Sequence, residues 1–306
     1  MNKVTIFPLL FFVILFTSSP GFGQTSFTYL VSTPDDERIY DGTEDAFGNY
    51  YLVGQKLTAD PYSSSAYLLV LDNDGELVYE HVFYDEDSAS YFENVYYTND
   101  SIIIFGARGS SSEELKDNLW VLILNGNFNV VRSKTFYLNG YHIGGFQSII
   151  NHRGNYVICG LADTPEDRPD IFFYEISCLG DSIQESIIVS EGIQIGFDLI
   201  QKQNRGYKVF AYGSFPDAPN SLGKIVEFDS SFNYISADSI PEMLWSRHTA
   251  RWLNESSYLV SGNKPIHNPV RKDIGIIKLN ADNGYITGNH FGKTGDTISY
   301  AGSPPN

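Results

Sequence analysis

Cysteine is nearly absent from this sequence: only Cys159 and Cys178 occur in 306 residues. Two thiols without a neighbouring His or Cys ligand pattern make no metal centre. The strands expected around them place the two several residues out of register, so two free thiols are expected rather than a bridge. Methionine is as scarce, also two, whereas Phe and Tyr stand at 21 each and apolar residues make up 42%. Such a chain folds, and its aromatic and β-branched bias points to strands rather than helices. Basic residues are few, 20 against 37 acidic, for a formal charge of −17. Phosphate backbones are held by Lys and Arg that displace counterions, and no basic cluster is present, so nucleic acid is excluded as a partner. Anionic lipid surfaces are disfavoured for the same reason.

Long apolar runs are missing beyond the first residues. Lys3 precedes the run from Val4 to Phe16, which Pro8 interrupts and which ends before Gly21-Phe22-Gly23. A spanning helix needs roughly 20 apolar residues, so the run is too short for one, and the small residues after it sit where a signal peptidase tests. Residues 1–23 therefore read as an export signal, and residues 24–306 as one secreted domain of the periplasm, cell surface or medium, with no membrane span expected.

Motifs of known chemistry are also lacking. The six histidines, His81, His142, His152, His248, His267 and His290, belong to no zinc pattern, and no nucleophile elbow or phosphate-cradling loop occurs. No metal, no cofactor and no catalytic residue is expected from them. Asp72-Asn-Asp-Gly75-Glu76 begins like a calcium loop but lacks the later oxygen ligands, and turn chemistry accounts for it.

What the sequence does have is a period. An apolar strand ending in Gly recurs at Gly54, Gly106, Gly160, Gly213 and Gly262, in steps of 52, 54, 53 and 49 residues. A second run closes at Leu71, Leu124, Ile176, Phe228 and Leu279, and a third at Phe83, Phe136, Ile188, Ile240 and Phe291. Runs such as Leu119-Trp-Val-Leu-Ile-Leu124 are apolar throughout, the mark of a strand buried on both faces. Each is followed by a tight turn and a more polar strand, and a short strand precedes each Gly-terminated one, giving four strands per unit. Four antiparallel strands repeated at this length describe a β-propeller blade. The expected fold is thus all-β, a propeller of five complete repeats near 37–83, 91–136, 145–188, 196–240 and 248–291. Residues 26–31 and 297–301 look like strands of partial blades, and the chain is expected to be cut from a longer parent.

The units Gly48-Asn-Tyr-Tyr-Leu-Val-Gly54 and Asp273-Ile-Gly-Ile-Ile-Lys-Leu-Asn280 resemble the roughly 50-residue propeller repeats of exported bacterial proteins. Those relatives often carry a type IX secretion sorting domain. The resemblance implies fold and export and carries no catalytic residue.

Rigid blades hold their long loops in register on one face, where function collects. Here these loops carry Tyr62, Asp85, Glu86, Arg108, Tyr141, His142, Asp163, Arg168, Trp245, His248, His267 and Arg271. Aromatic rings beside carboxylates and guanidinium groups suit a sugar or a peptide. The innermost strands carry Asn94, Gln147, Asp198 and Arg251, a set poor in the His and carboxylates that a propeller enzyme tends to show there. The reading is therefore a non-catalytic module that binds a glycan, peptide or protein. The alternative is a carbohydrate-active hydrolase or lyase with its site at the propeller axis.

Overall fold

A computed structural model describes residue 29 and residues 35–301, other than 60–61, 85–88, 110–117, 139–140, 164–168, 189–193, 216, 241–244, 266–271 and 292–297. The expected export signal lies outside the described residues, as does the strand expected at 26–31 save for residue 29. Every regular element among the described residues is a strand, and no helix there is long and apolar enough to cross a membrane. Five antiparallel sheets follow one another along the chain, each a meander in sequence order.

The first sheet is β1 (Asp36–Glu44), β2 (Tyr50–Ala59), β3 (Tyr62–Leu71) and β4 (Leu77–Phe83). The second is β5 (Ser90–Thr98), β6 (Ser101–Arg108), β7 (Asn118–Asn125) and β8 (Val130–Phe136). The third is β9 (His142–Ile150), β10 (Tyr156–Asp163), β11 (Asp170–Ile176) and β12 (Ser182–Ile188). The fourth is β13 (Gln194–Gln201), β14 (Tyr207–Phe215), β15 (Ala218–Phe228) and β16 (Tyr234–Ser239). The fifth is β17 (Trp245–Asn254), β18 (Ser257–Pro265), β19 (Lys272–Asn280) and β20 (Tyr285–Phe291), joined by β21 (Ile298–Ala301). One expectation is corrected here: residues 298–301 do not open a further sheet but pair with β20, from Thr287↔Ala301 to His290↔Ile298. The outer strand of a blade presents unpaired backbone groups, and a short strand covers them.

The apolar runs earn their length by facing two neighbours. In β7, Trp120, Leu122 and Leu124 pack towards the first sheet, whereas Leu119, Val121 and Ile123 pack towards the third. In β11, Phe172, Tyr174 and Ile176 join the second sheet's cluster and Ile171 and Phe173 the fourth's. Side chains alternate across a strand, so a sheet between two sheets must be apolar at every residue. This sandwiching of successive blades is the propeller architecture.

The turns use one device repeatedly. Asp45, Asp72, Asn125, Asn151, Asp229 and Asn280 each accept, through Oδ1, backbone N–H groups two and four residues on. Asp72 is thereby occupied by the N–H groups of Asp74 and Glu76, which is the turn chemistry the sequence suggested. Between β5 and β6 the turn is two residues, Asn99 and Asp100, both with positive φ (48° and 58°), as a type I′ hairpin requires. Cys159 is buried in β10 and Cys178 is exposed in the turn after β11, both free.

Candidate functional site

The innermost strand of each blade breaks its ladder with β2, β6, β10, β14 or β18 at a bulge or irregularity. Pairing slips between Ile39 and Asp41, between Phe92 and Asn94, between Gly196 and Asp198, opposite Cys159/Leu161 in β9, and between Trp245 and Thr249. A bulge adds one residue and re-aims the side chains beside it. On the strand alongside, in the first three blades, stands the periodic glycine. A Cβ on Gly54 would lie 1.7 Å from the Arg38 carbonyl oxygen, one on Gly106 2.2 Å from that of Tyr91, and one on Gly160 2.5 Å from the Phe146 Cβ. The repeat's most regular letter is thus set by the close approach of the innermost strand.

Directly after the bulge stand Asp41, Asn94, Gln147 and Asp198, in steps of 53, 53 and 51 residues, and in the fifth blade Arg251 lies two residues past the slip, 53 residues after Asp198. They bond from blade to blade. Asp41 Oδ2 accepts the Val95 N–H at 3.0 Å, Asn94 Nδ2 donates to Gln147 Oε1 at 3.0 Å, and Asp198 Oδ2 accepts the Ala250 N–H at 2.6 Å. The Arg251 guanidinium donates to the Ala250 carbonyl and lies 3.5 Å from Asp198 Oδ2. Its charge also acts on Asp41 in the first blade. Beneath, the Tyr96 hydroxyl donates to the Ser148 carbonyl at 2.6 Å, tying the second blade to the third.

Electrostatics separate the two carboxyls by role. Burial pushes the Asp198 carboxyl up to about 6, against the N–H groups of Ala250 and Leu199 and the Arg251 charge, which favour the anion. Burial also raises Asp41, opposed by the Val95 and Gly42 N–H groups, the Asn94 amide and Arg251. Asp198 is 4% exposed and both its oxygens hold backbone N–H groups, so it positions Arg251 rather than touching a ligand. Asp41 is half-buried, and Arg251 is 67% exposed. Asn94 is buried, yet its Oδ1 has no hydrogen-bond partner. A buried acceptor left open costs about 1–3 kcal/mol, and a donor from a ligand or a water would satisfy it.

Of the loop residues expected to form the binding face, the structure joins two. His142 and Asp163 are directly opposite across β9 and β10, and His142 Nδ1 and Asp163 Oδ1 are both buried without a partner. Tyr141 adjoins them, packed on the core between the second and third blades. Arg108 is elsewhere, its guanidinium 5.5 Å above the Trp120 ring. The side chains of Tyr62, Trp245 and His248 lie outside the described residues, as do Asp85, Glu86, Arg168, His267 and Arg271 altogether. Asp41 was missed in the sequence, although stepping back one 53-residue interval from Asn94 lands on it. Among the described residues no group of three or more His, Cys, Asp and Glu side chains could hold a metal ion.

No protein-family model matches the sequence, and no curated protein is similar to it. Solved structures share its fold. A puromycin hydrolase is 11% identical with a TM-score of 0.51, over 90% of this chain and 40% of that one. A GH43 β-1,3-galactosidase is 13% identical with a TM-score of 0.48, over 77% and 55%. The GH43 endo-arabinanase from Bacillus licheniformis is 10% identical with a TM-score of 0.41, over 84% and 95%. The chain is an all-β propeller of five blades. The expectation of a non-catalytic binding module is corrected by these neighbours, which are hydrolases, two of them glycoside hydrolases. Such likeness speaks for the fold alone, and the chemistry must be argued from the axial residues.

Proposed function

We propose that the chain is a carbohydrate-active hydrolase whose reaction centre is the axial ring, exported by the signal read at residues 1–23. Asp41 is the carboxyl that exchanges a proton with the substrate. Arg251, Asn94 and Gln147 bind hydroxyl groups around it. Asp198 fixes Arg251, and the His142–Asp163 pair forms part of the rim on the long-loop side. The observation that carries this reading is an Asp at the equivalent place of two blades, both desolvated and both within the field of one guanidinium. Desolvation raises both carboxyls, the direction that favours a proton donor in general acid–base work.

The test is release of reducing ends from arabinan and β-1,3-galactan, the polysaccharide types on which the neighbours' names bear. Hydrolysis of at least one is expected, with Asp41→Asn lowering kcat by about 10²- to 10⁴-fold at unchanged folding. Hydrolysis of none, or full activity in Asp41→Asn, overturns the reading.

A further inference from the structure

On the face opposite the long loops, the short turns of three consecutive blades enclose a cleft. Its larger part, about 620 Å³, is lined by His152, Gln201, Arg205, Trp252 and Asn254 among others, and a recess of about 300 Å³ continues it past Lys208 and Glu227. Lys202, Gln203, Trp252 and Glu255 border both. This volume lies within the range of small-molecule sites and holds more than one sugar ring.

The walls are fixed before any ligand arrives. Gln201 bonds His152 twice, through its Oε1 to the backbone N–H and its Nε2 to Nδ1. Trp252 Nε1 donates to the Gln201 carbonyl at 2.9 Å, and Gln203 Nε2 donates to the Glu255 carbonyl at 3.3 Å. Trp252 rests edge-on against Tyr258, ring centroids 5.2 Å apart, and remains half-exposed towards the cleft. A rigid indole flanked by amides is the platform on which a sugar ring stacks and bonds.

Charge narrows the choice of sugar. The chain as a whole carries −17, yet in this cleft Lys202, Arg205 and Lys208 balance Glu227, Glu255 and Asp282. Lys202 is engaged by Glu227, which Lys208 also approaches at 3.1 Å. Arg205 stands exposed at the tip of its turn, held there with φ of 71°, and makes no ion pair among the described residues. A guanidinium grips a carboxylate through two parallel bonds. The nearby Glu255 and Asp282 accept sugar hydroxyls and oppose a doubly charged phosphate more strongly than a singly charged carboxylate.

We infer that this cleft is a second saccharide site, selective for a chain bearing a uronic acid, with Trp252 under the ring and Arg205 on the carboxylate. It extends the hydrolase reading to a substrate class, but the binding itself does not require the axis to be catalytic.

The experiment uses the full chain carrying Asp41→Asn, so that the probe is not consumed, and follows tryptophan fluorescence on titration with trigalacturonate and with neutral galactotriose. Saturable binding of the acid sugar is expected, at least 10-fold tighter than of the neutral one. Arg205→Glu should weaken it 10-fold or more, and Arg205→Lys should restore part. Absence of binding, equal affinity for the neutral sugar, or undiminished binding by Arg205→Glu overturns the inference. None of these outcomes bears on hydrolysis at the axis, which the reducing-end assay reads separately.

Discussion

Burial gives Asp198 a pH dependence opposite to that of Asp181 or Asp229. An unfolded Asp releases its proton near 3.9, whereas burial holds the Asp198 proton to about 6. The stability that this group contributes is therefore full below about pH 4 and is lost as pH rises through 6, by ~3 kcal/mol at most. Asp229 runs the other way: bonds from Asn233 and Ser231 lower it, so its contribution is present above the unfolded value and lost as pH falls. Asp198→Asn removes the first dependence and leaves the second. The Tm of the unmodified protein minus that of the variant should shrink between pH 4 and pH 7 by about 5 °C. A difference that stays constant over that interval would mean that Asp198 titrates as an ordinary exposed carboxyl.

Bulge and glycine form a single construction in the first three blades, where the extra residue swings the innermost backbone towards the neighbouring strand and leaves no room for a Cβ opposite it. In the fourth blade Ala211 takes that register position, opposite Gly196 of the innermost strand. Gly54→Ala should cost about 3 kcal/mol or more, since the added carbon would fall 1.7 Å from a carbonyl oxygen that cannot give way without moving β1. Gly126→Ala, whose Cβ would have its nearest neighbour at 3.6 Å, should cost under ~1 kcal/mol, and chemical denaturation of the two variants measures the contrast. This pairing explains what was legible beforehand. The period could be read because sterics demand the glycine in three of the blades and the strands between layers are apolar at every position, as in Leu119 to Leu124. The turns could be read because Asp, Asn and Gly do the same work in each. The axial ring was legible only in part, because a bulge resets the alternation of faces, so sequence spacing alone does not say which residue of β1 or β5 points inward. Asp41 was further obscured by its surroundings: Asp36 to Glu44 contains no apolar run. His142 and Asp163 were both singled out, but that they meet depends on a register across two strands. The addition of β21 to the edge of β20 had no signal in residues 297–301, whose short pattern suits either edge.

Across the whole molecule, four continuous apolar layers join the five sheets in order, each layer built from alternate side chains of neighbouring blades. Polar fasteners sit at the outer turns. Arg132 reaches the Leu179 carbonyl and Asp181 of the next blade, and Lys208, wholly buried, donates to the Ala281 carbonyl at 2.6 Å and approaches Glu227. Burial disfavours both of those last charges, yet the Lys202 and Lys208 ammonium groups bring Glu227 below its ordinary range. A frame of this stiffness holds side chains from five separate strands, 51 to 53 residues apart in sequence, at one place on the axis. The reaction centre proposed there is tested most directly by a crystal structure of the Asp41→Asn protein soaked with an oligosaccharide that the unmodified protein cleaves. Sugar bound at the axis, with a glycosidic oxygen within hydrogen-bonding distance of residue 41 and a hydroxyl on Asn94 Oδ1 or Arg251, is the predicted result. An axis that contains only water while sugar occupies other parts of the surface would contradict it.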